Sequence, residues 1–251
     1  MDYTKKNIEV IEGWIDEGWE WSVPISKEKF EAAKKGEWDI LLTPSRPIPH
    51  HWLLPIQGKN VLGLASGGGQ QMPILAALGA NCTLMDYSQK QLQNDIIFAK
   101  EEGYPLRAIQ ADFTEPFPFE DDEFDVIVCP VSLVYARELF PIYLEMARVL
   151  KKGGILLLGM DNGINFITND EERIENYFPF DPIANKDQEK IMIANDCGYQ
   201  FSHNLEETIG GLLRVGFRIE DLFDDYNSEG RFKELKIPSY FALKARLERK
   251  D

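Results

Sequence analysis

The stretch Val61-Leu62-Gly63-Leu64-Ala65-Ser66-Gly67-Gly68-Gly69-Gln70-Gln71-Met72-Pro73 decides how this chain is read. It begins as a short apolar strand, Asn60 to Ala65, and turns at once into glycines. Pro73 to Leu78 is then helical, with Gly79 placed as a C-cap. Glycines directly after a strand let a ligand come close to the backbone. Asn81 to Asp86 forms a second strand, and Asp86 closes it nineteen residues after Gly67. A carboxylate there can accept from both ribose hydroxyls of a nucleoside. A dinucleotide site would want a third glycine three residues after Gly69, for close helix packing. Met72 stands there, so a pyrophosphate ligand is disfavoured. The competing reading is a plain glycine turn beside a surface aspartate.

Outward from this unit the texture is alternating strand and helix. Ser88, with Gln91 three residues on, has the form of a capping box and opens a helix to about Glu102. Leu92, Ile96 and Ala99 give that helix an apolar stripe. Leu106 to Gln110 is a third strand and Phe124 to Pro130 a fourth. A helix is expected from about Arg137 to Leu150, with Leu139, Ile142, Met146 and Val149 in phase. Gly153 and Gly154 turn into a fifth strand, Ile155 to Leu158, fully apolar as a strand buried on both faces must be. Residues 161 to about 200 break the rhythm and read as an insertion beside the active-site edge. Asn204, with Glu207 three later, opens a helix ending near Gly216. Phe217 to Phe223 and Ser239 to Leu247 are two further strands. The pattern implies an α/β fold with parallel pairing and right-handed crossovers.

Residues 1 to about 57 differ. They hold all five tryptophans (Trp14, Trp19, Trp21, Trp38 and Trp52) and the run Pro44-Ser45-Arg46-Pro47-Ile48-Pro49. Short helices fit 4–17 and 26–36, whereas prolines prevent 43–55 from being one regular element.

Composition sets bounds on partners. The chain has 251 residues, 44% of them hydrophobic, enough for a sizeable core. Its net charge of −15 lacks the basic footprint a nucleic-acid partner needs. That charge either favours neutral or cationic small substrates or simply solvates the surface. No apolar run approaches a membrane span, and the polar N-terminus has no signal-peptide core. Cys82, Cys129 and Cys197 are odd in number and widely spaced, arguing against a disulfide framework or a zinc site. Cys82 and Cys129 sit in apolar segments as core residues, and a cytoplasmic location fits.

With these residues in place the chain, from about 58 to its end, resembles the class I methyltransferases that use S-adenosylmethionine. Val61 to Gly69 is similar to their first motif, and Leu84-Met85-Asp86-Tyr87-Ser88 to their ribose-binding strand end. Gln110-Ala111-Asp112-Phe113, with Pro116-Phe117-Pro118-Phe119, resembles their adenine-binding segment. Phe124 to Val128 resembles their fourth strand, and Arg148-Val149-Leu150-Lys151-Lys152-Gly153-Gly154 their turn into the fifth. Ala33 to Asp39, Arg46 to Pro49, the loop Ala65 to Gln71, Phe201-Ser202-His203 and Gly216-Phe217 resemble a bacterial small-molecule methyltransferase-like subfamily of undefined substrate.

The resemblance implies a Rossmann-like seven-stranded sheet, mostly parallel, with an antiparallel C-terminal edge hairpin and helices on both faces. It implies a methyltransferase domain over 58–251, with the 161–200 insertion, and an extension, 1–57, covering the active site. It implies S-adenosyl-L-methionine as cofactor, S-adenosyl-L-homocysteine as product, and methyl transfer to a small molecule by in-line displacement, in a monomer or homodimer. The cofactor contacts implied are Ala65, Ser66, Gly67, Gly69, Asp86, Tyr87, Ser88, Gln91, Ala111, Asp112, Phe113, Pro130 and Val131. One departure stands out: Gly63 replaces the family's usual acid, which helps orient the amino-acid end of the cofactor. The backbone of Ala65 to Gly69 and the extension around Trp38 and Arg46 are candidates to replace it; Arg46 could pair with the cofactor carboxylate.

Displacement at a sulfonium methyl needs mainly positioning and exclusion of water, and a base only for an acceptor that still carries its proton. His203, Tyr135 and His51 are the candidate catalytic groups; His50 neighbours His51 in the proline-rich cover. Each is also readable as a loop or packing residue without chemistry, and for the histidines that is the leading reading. Trp38 and Trp52 either face the sulfonium or an aromatic substrate, or fasten the extension to the core. Phe166, Tyr177 and Phe178 either line a pocket or pack the insertion. Two other functions compete: a module that holds the cofactor without turnover, and an NAD-dependent oxidoreductase.

Overall fold

The computed structural model describes residues 2–53, 55–169 and 171–248. Leu54 and Asp170, within the proline-rich cover and the insertion, lie outside the described residues.

Helix α1 (Tyr3–Asp16), a 3-10 turn (Glu20–Ser22), α2 (Lys27–Ala33) and a second 3-10 turn (His50–Trp52) precede the sheet. Then come β1 (Asn60–Leu64), α3 (Met72–Ala77), β2 (Asn81–Asp86), α4 (Gln89–Glu102), β3 (Leu106–Gln110) and β4 (Phe124–Cys129). A 3-10 turn (Leu133–Tyr135) leads to α5 (Phe140–Val149) and β5 (Leu150–Asp161). The insertion holds α6 (Ile164–Ile167), a small hairpin of β6 (Thr168–Asn169) and β7 (Arg173–Ile174), and α7 (Lys186–Ala194). A π-helical turn (Glu206–Gly210) runs into α8 (Gly211–Arg214), followed by β8 (Phe217–Asp225), α9 (Arg231–Leu235) and β9 (Tyr240–Leu247).

The seven-stranded sheet has the order β3-β2-β1-β4-β5-β9-β8. The first five strands run parallel, and β9 is antiparallel to both β5 and β8. The chain therefore winds outward from β1 in both directions, and the carboxyl ends of β1 and β4 flank the switch point where ligands settle in open α/β sheets. Apolar side chains bury on both faces. Leu62, Leu64, Ile127 and Leu156 face α5 and the aromatic loop Phe113–Phe119. Val61, Leu84, Val128 and Leu157 face α3 and the extension residues Ile40, Leu42 and Trp52. Each such side chain, fully buried, contributes about 1.5–3 kcal/mol.

Four local expectations are corrected. On α4 the buried face is Gln91, Leu92, Asp95, Phe98 and Ala99, while Ile96 is exposed. The Ser88 oxygen accepts from the Gln91 N–H at 3.3 Å, but the Ser88 N–H donates to Asp86 rather than to Gln91, so the capping box is half made. Helix α5 starts three residues late, at Phe140, because Pro141 suits only a first helical turn. Strand β5 reaches back to Leu150, which pairs with Phe124; the chain then bulges through Gly153 before Ile155 pairs with Val126.

The extension is fastened rather than loose. The Trp52 indole donates to Asp221 at 2.8 Å, and Ser45 and Arg46 backbone N–H groups donate to the Asp225 carboxylate. Asn7 on α1 bonds both polar groups of the Tyr199 backbone, holding the insertion down.

Candidate functional site

At the end of β1, Ala65 adopts a left-handed φ of 46° and the chain turns sharply across the sheet. This brings the Gly67 N–H to 3.1 Å from the Asp86 carboxylate, whose other oxygen accepts the Ser88 N–H at 2.9 Å. Burial pushes the Asp86 carboxyl up to about 6, against the pull of those N–H groups. Each oxygen keeps further acceptor capacity for a ligand hydroxyl.

The next two loop N–H groups, of Gly68 and Gly69, both donate to one oxygen of Asp95 at 2.8 Å. Asp95 lies on the buried face of α4 and is fully enclosed. Burial raises its carboxyl to about 7, opposed by the two N–H groups. Gly68, at φ 108°, packs so closely that a Cβ would stand 2.2 Å from the Trp21 carbonyl oxygen. Sequence reasoning missed Asp95. Its signal was a charged residue in phase with Gln91 and Leu92, where a helix buries its face.

The absent acid at Gly63 has a structural counterpart. A Cβ there would lie 2.4 Å from Ser66 Oγ and 2.6 Å from Met72 Cε, so these side chains fill the space an acid would occupy. Ser66 Oγ, Tyr87 Oη and Gln91 Oε1 are buried and lack a hydrogen-bond partner. All three residues line one cavity of about 700 Å³ that opens along the carboxyl ends of the strands. Buried polar atoms are rarely left without a partner, so such a set in one cavity marks a ligand site. Its volume and its donors and acceptors fit a nucleoside cofactor.

Among the expected cofactor contacts, Ala65, Ser66, Gly67, Asp86, Tyr87, Gln91, Phe113, Pro130 and Val131 lie on the cavity wall. Gly69 and Ser88 stand behind it, acting through backbone N–H groups on Asp95 and Asp86. Ala111 donates its N–H to the Asp86 carbonyl at 3.1 Å, and Asp112 is occupied by Thr114. Trp38 and Arg46 are not on the wall. Trp38 is buried against His50, with ring centroids 3.9 Å apart, and the Arg46 guanidinium lies over the Phe223 ring. The extension reaches the cavity with other residues, Trp19, Trp21 and Leu41 to Pro44.

Of the candidate catalytic groups, Tyr135 lines the cavity. His51 is on the outer surface, 3.7 Å from Asp221. His203 is buried behind the wall, where desolvation lowers its pKa and its Nε2 has no partner. Trp52 fastens the extension. Phe166 reaches the cavity, whereas Tyr177 and Phe178 are exposed.

The far end of the cavity was not foreseen. Asp161, the last residue of β5, accepts from the Gly163 N–H and from Asn165 Nδ2 at 2.7 Å. Burial raises its carboxyl to about 6. Asn165 and Asn227 bond each other, and Asn227 donates to Glu171. Phe166, Phe180 and Tyr240 complete this end.

Residues 62–158 match a family described as a methyltransferase domain. Over 219 residues the chain is 38% identical to the Bacillus subtilis (strain 168) uncharacterized methyltransferase YbaJ, covering 84% of this chain and 86% of that protein. Over 101 residues it is 36% identical to the sterol 24-C-methyltransferase ERG6B of Gibberella zeae, across 39% of this chain and only 26% of that protein. The fold superposes with a TM-score of 0.63 on an S-adenosylmethionine-dependent methyltransferase from Mesorhizobium loti, at 18% identity, covering 78% of this chain and 94% of that one. The chain belongs to the class I S-adenosylmethionine-dependent methyltransferases. Its cofactor is S-adenosylmethionine, and its activity is methyl transfer.

Proposed function

We propose that this methyltransferase acts on a small molecule bound at the far end of the cavity. The cofactor's ribose is held by Asp86, with its adenine on the Phe113 side and its amino-acid end near Ser66, Gly67 and the loop glutamines. The observation that carries this reading is the buried Asp86 carboxylate in one cavity with three unpartnered polar atoms. S-adenosylmethionine supplies an electrophilic methyl group when bound. The chain's own residues bind, orient and exclude water. Gly67 and Ser88 N–H groups fix the Asp86 carboxylate; Asp95 fixes the loop. Ser66 stands where the family's acid is missing and is placed to bond the amino-acid end. Residues 1–57 and the 161–200 insertion act as the cover over a domain spanning 58–251, since Trp21 and Phe166 both reach the cavity.

A sterol methyltransferase among the relatives supports a small-molecule acceptor. The net charge of −15 speaks against nucleic acid. No helix among the described residues is long and apolar enough to cross a membrane. A cytoplasmic monomer or homodimer is the form proposed. Calorimetric titration with S-adenosylmethionine, S-adenosylhomocysteine and NAD, repeated on Asp86→Ala, tests the site. Micromolar binding of the first two, weakened in the variant, is expected. Binding of NAD alone, or unchanged affinity in the variant, refutes the assignment.

A further inference from the structure

The acceptor end of the cavity has a one-sided charge pattern. Asp161 and Glu171 stand inside it and Glu229 at its rim, while no lysine, arginine or histidine is on the cavity wall among the described residues. Asp161 is 7% exposed. It is tied in place by Gly163 and Asn165, so its carboxylate cannot swing away to meet solvent. The opposing walls are aromatic: Phe166, Phe180, Tyr135 and Tyr240.

These acids are not needed for the cofactor's ribose. Asp86 ends β2 and Asp161 ends β5, three strand spacings away across β1 and β4. That separation is roughly 14 Å. A buried carboxylate without a cationic neighbour is costly, and a cation bound beside it removes the cost. Aromatic faces add further attraction for a cation. An anionic acceptor would meet repulsion here, and a neutral alcohol would leave the charge uncompensated.

We infer that the acceptor is a small amine carrying an aromatic or apolar body, with its nitrogen held at Asp161 and Glu171. The inference rests on the cofactor placement proposed above. In the step it implies, the acceptor arrives as an ammonium ion and gives one proton to the Asp161 carboxylate. The freed nitrogen lone pair forms the new N–CH3 bond as the S–CH3 bond breaks. The bonding electrons leave with sulfur, as the neutral thioether of S-adenosylhomocysteine, and the methylated amine carries the positive charge. Asp161 then loses its proton to solvent.

The test uses three probes of matched shape: 2-phenylethylamine, 2-phenylethanol and 3-phenylpropanoate. Each is titrated calorimetrically into full-length protein saturated with S-adenosylhomocysteine, and into Asp161→Asn and Glu171→Gln variants. The amine is expected to bind at least tenfold more tightly than the alcohol, with no binding of the acid. Asp161→Asn is expected to weaken amine binding at least tenfold and leave S-adenosylhomocysteine affinity unchanged, which also reports that the variant is folded. Mass spectrometry with S-adenosylmethionine should then show N-methylated product from the amine alone. Equal binding of amine and alcohol, preference for the acid, binding of no probe, or an unaffected Asp161→Asn variant overturns the inference while the cofactor assignment stands. Failure of S-adenosylhomocysteine to bind the unaltered protein overturns both. If only Glu171→Gln weakens the amine, Asp161 is not the anchor and the inference fails as stated.

Discussion

Asp95→Asn isolates the buried acid beneath the glycine loop. Burial holds the folded carboxyl at about 7, against an ordinary value of 3.8, with the charge of Asp86 adding a smaller push. Between those limits the folded protein keeps a proton that the unfolded chain has released. The stabilisation is therefore complete below about pH 4 and lost as pH rises through about 7. The interval spans roughly three pH units, worth about 4 kcal/mol. An asparagine keeps an oxygen for the Gly68 and Gly69 N–H groups but does not titrate. Its NH2 group takes the place of Asp95 Oδ1, a buried atom without a hydrogen-bond partner. Urea denaturation of both proteins at pH 5, 6, 7 and 8 gives the comparison. The variant should be the more stable at pH 8. The unaltered protein should regain about 1.4 kcal/mol relative to it per pH unit from 7 to 5, with no change above about 7. A difference that stays constant with pH would refute the reasoning, because Asp95 would then be ionised throughout. Asp95→Leu is the control: it orphans two N–H groups at about 1–3 kcal/mol each and should loosen cofactor binding.

In the proposed site Asp86 accepts from two ribose hydroxyls, so Asp86→Ala should cost about 2–4 kcal/mol of S-adenosylhomocysteine affinity, read by calorimetry. Since only an ionised Asp86 can accept with both oxygens from a pair of hydroxyls and its carboxyl sits at about 6, affinity should fall below that value, by up to about tenfold per pH unit; a flat profile between pH 5 and 8 contradicts it. Gly159→Ala would place a Cβ 2.0 Å from the Leu42 carbonyl oxygen, which forces the 41–44 segment off β5. It should cost about 1–3 kcal/mol of stability and expose that segment to limited proteolysis. Arg46→Ala, whose guanidinium packs on Phe223 outside the cavity, should leave S-adenosylhomocysteine affinity within about twofold; a larger loss returns Arg46 to the site.

What the sequence determined was local and periodic. The apolar runs at Val61, Leu84, Val126 and Leu156 could only be buried strands, and their alternation with helices dictated parallel order. The loop after β1 and the acid closing β2 were legible because both belong to one βαβ unit of fixed length. Helix ends, strand ends and side-chain phase were less so, as Ile96 and Asp95 show: one-residue differences in phase exchange a solvent face for a buried one. Trp38 and Arg46 were drawn toward the site as replacements for the acid missing at Gly63, and only the packing of Trp38 on His50 and of Arg46 on Phe223 of β8 took them off the cavity wall. The far end of the cavity was invisible for the same reason. Asp161, Glu171, Asn227 and Tyr240 lie far apart in sequence and have no shared period. They meet because β9 threads between β5 and β8, and that adjacency is set by long-range pairing of the whole sheet, which no local pattern encodes.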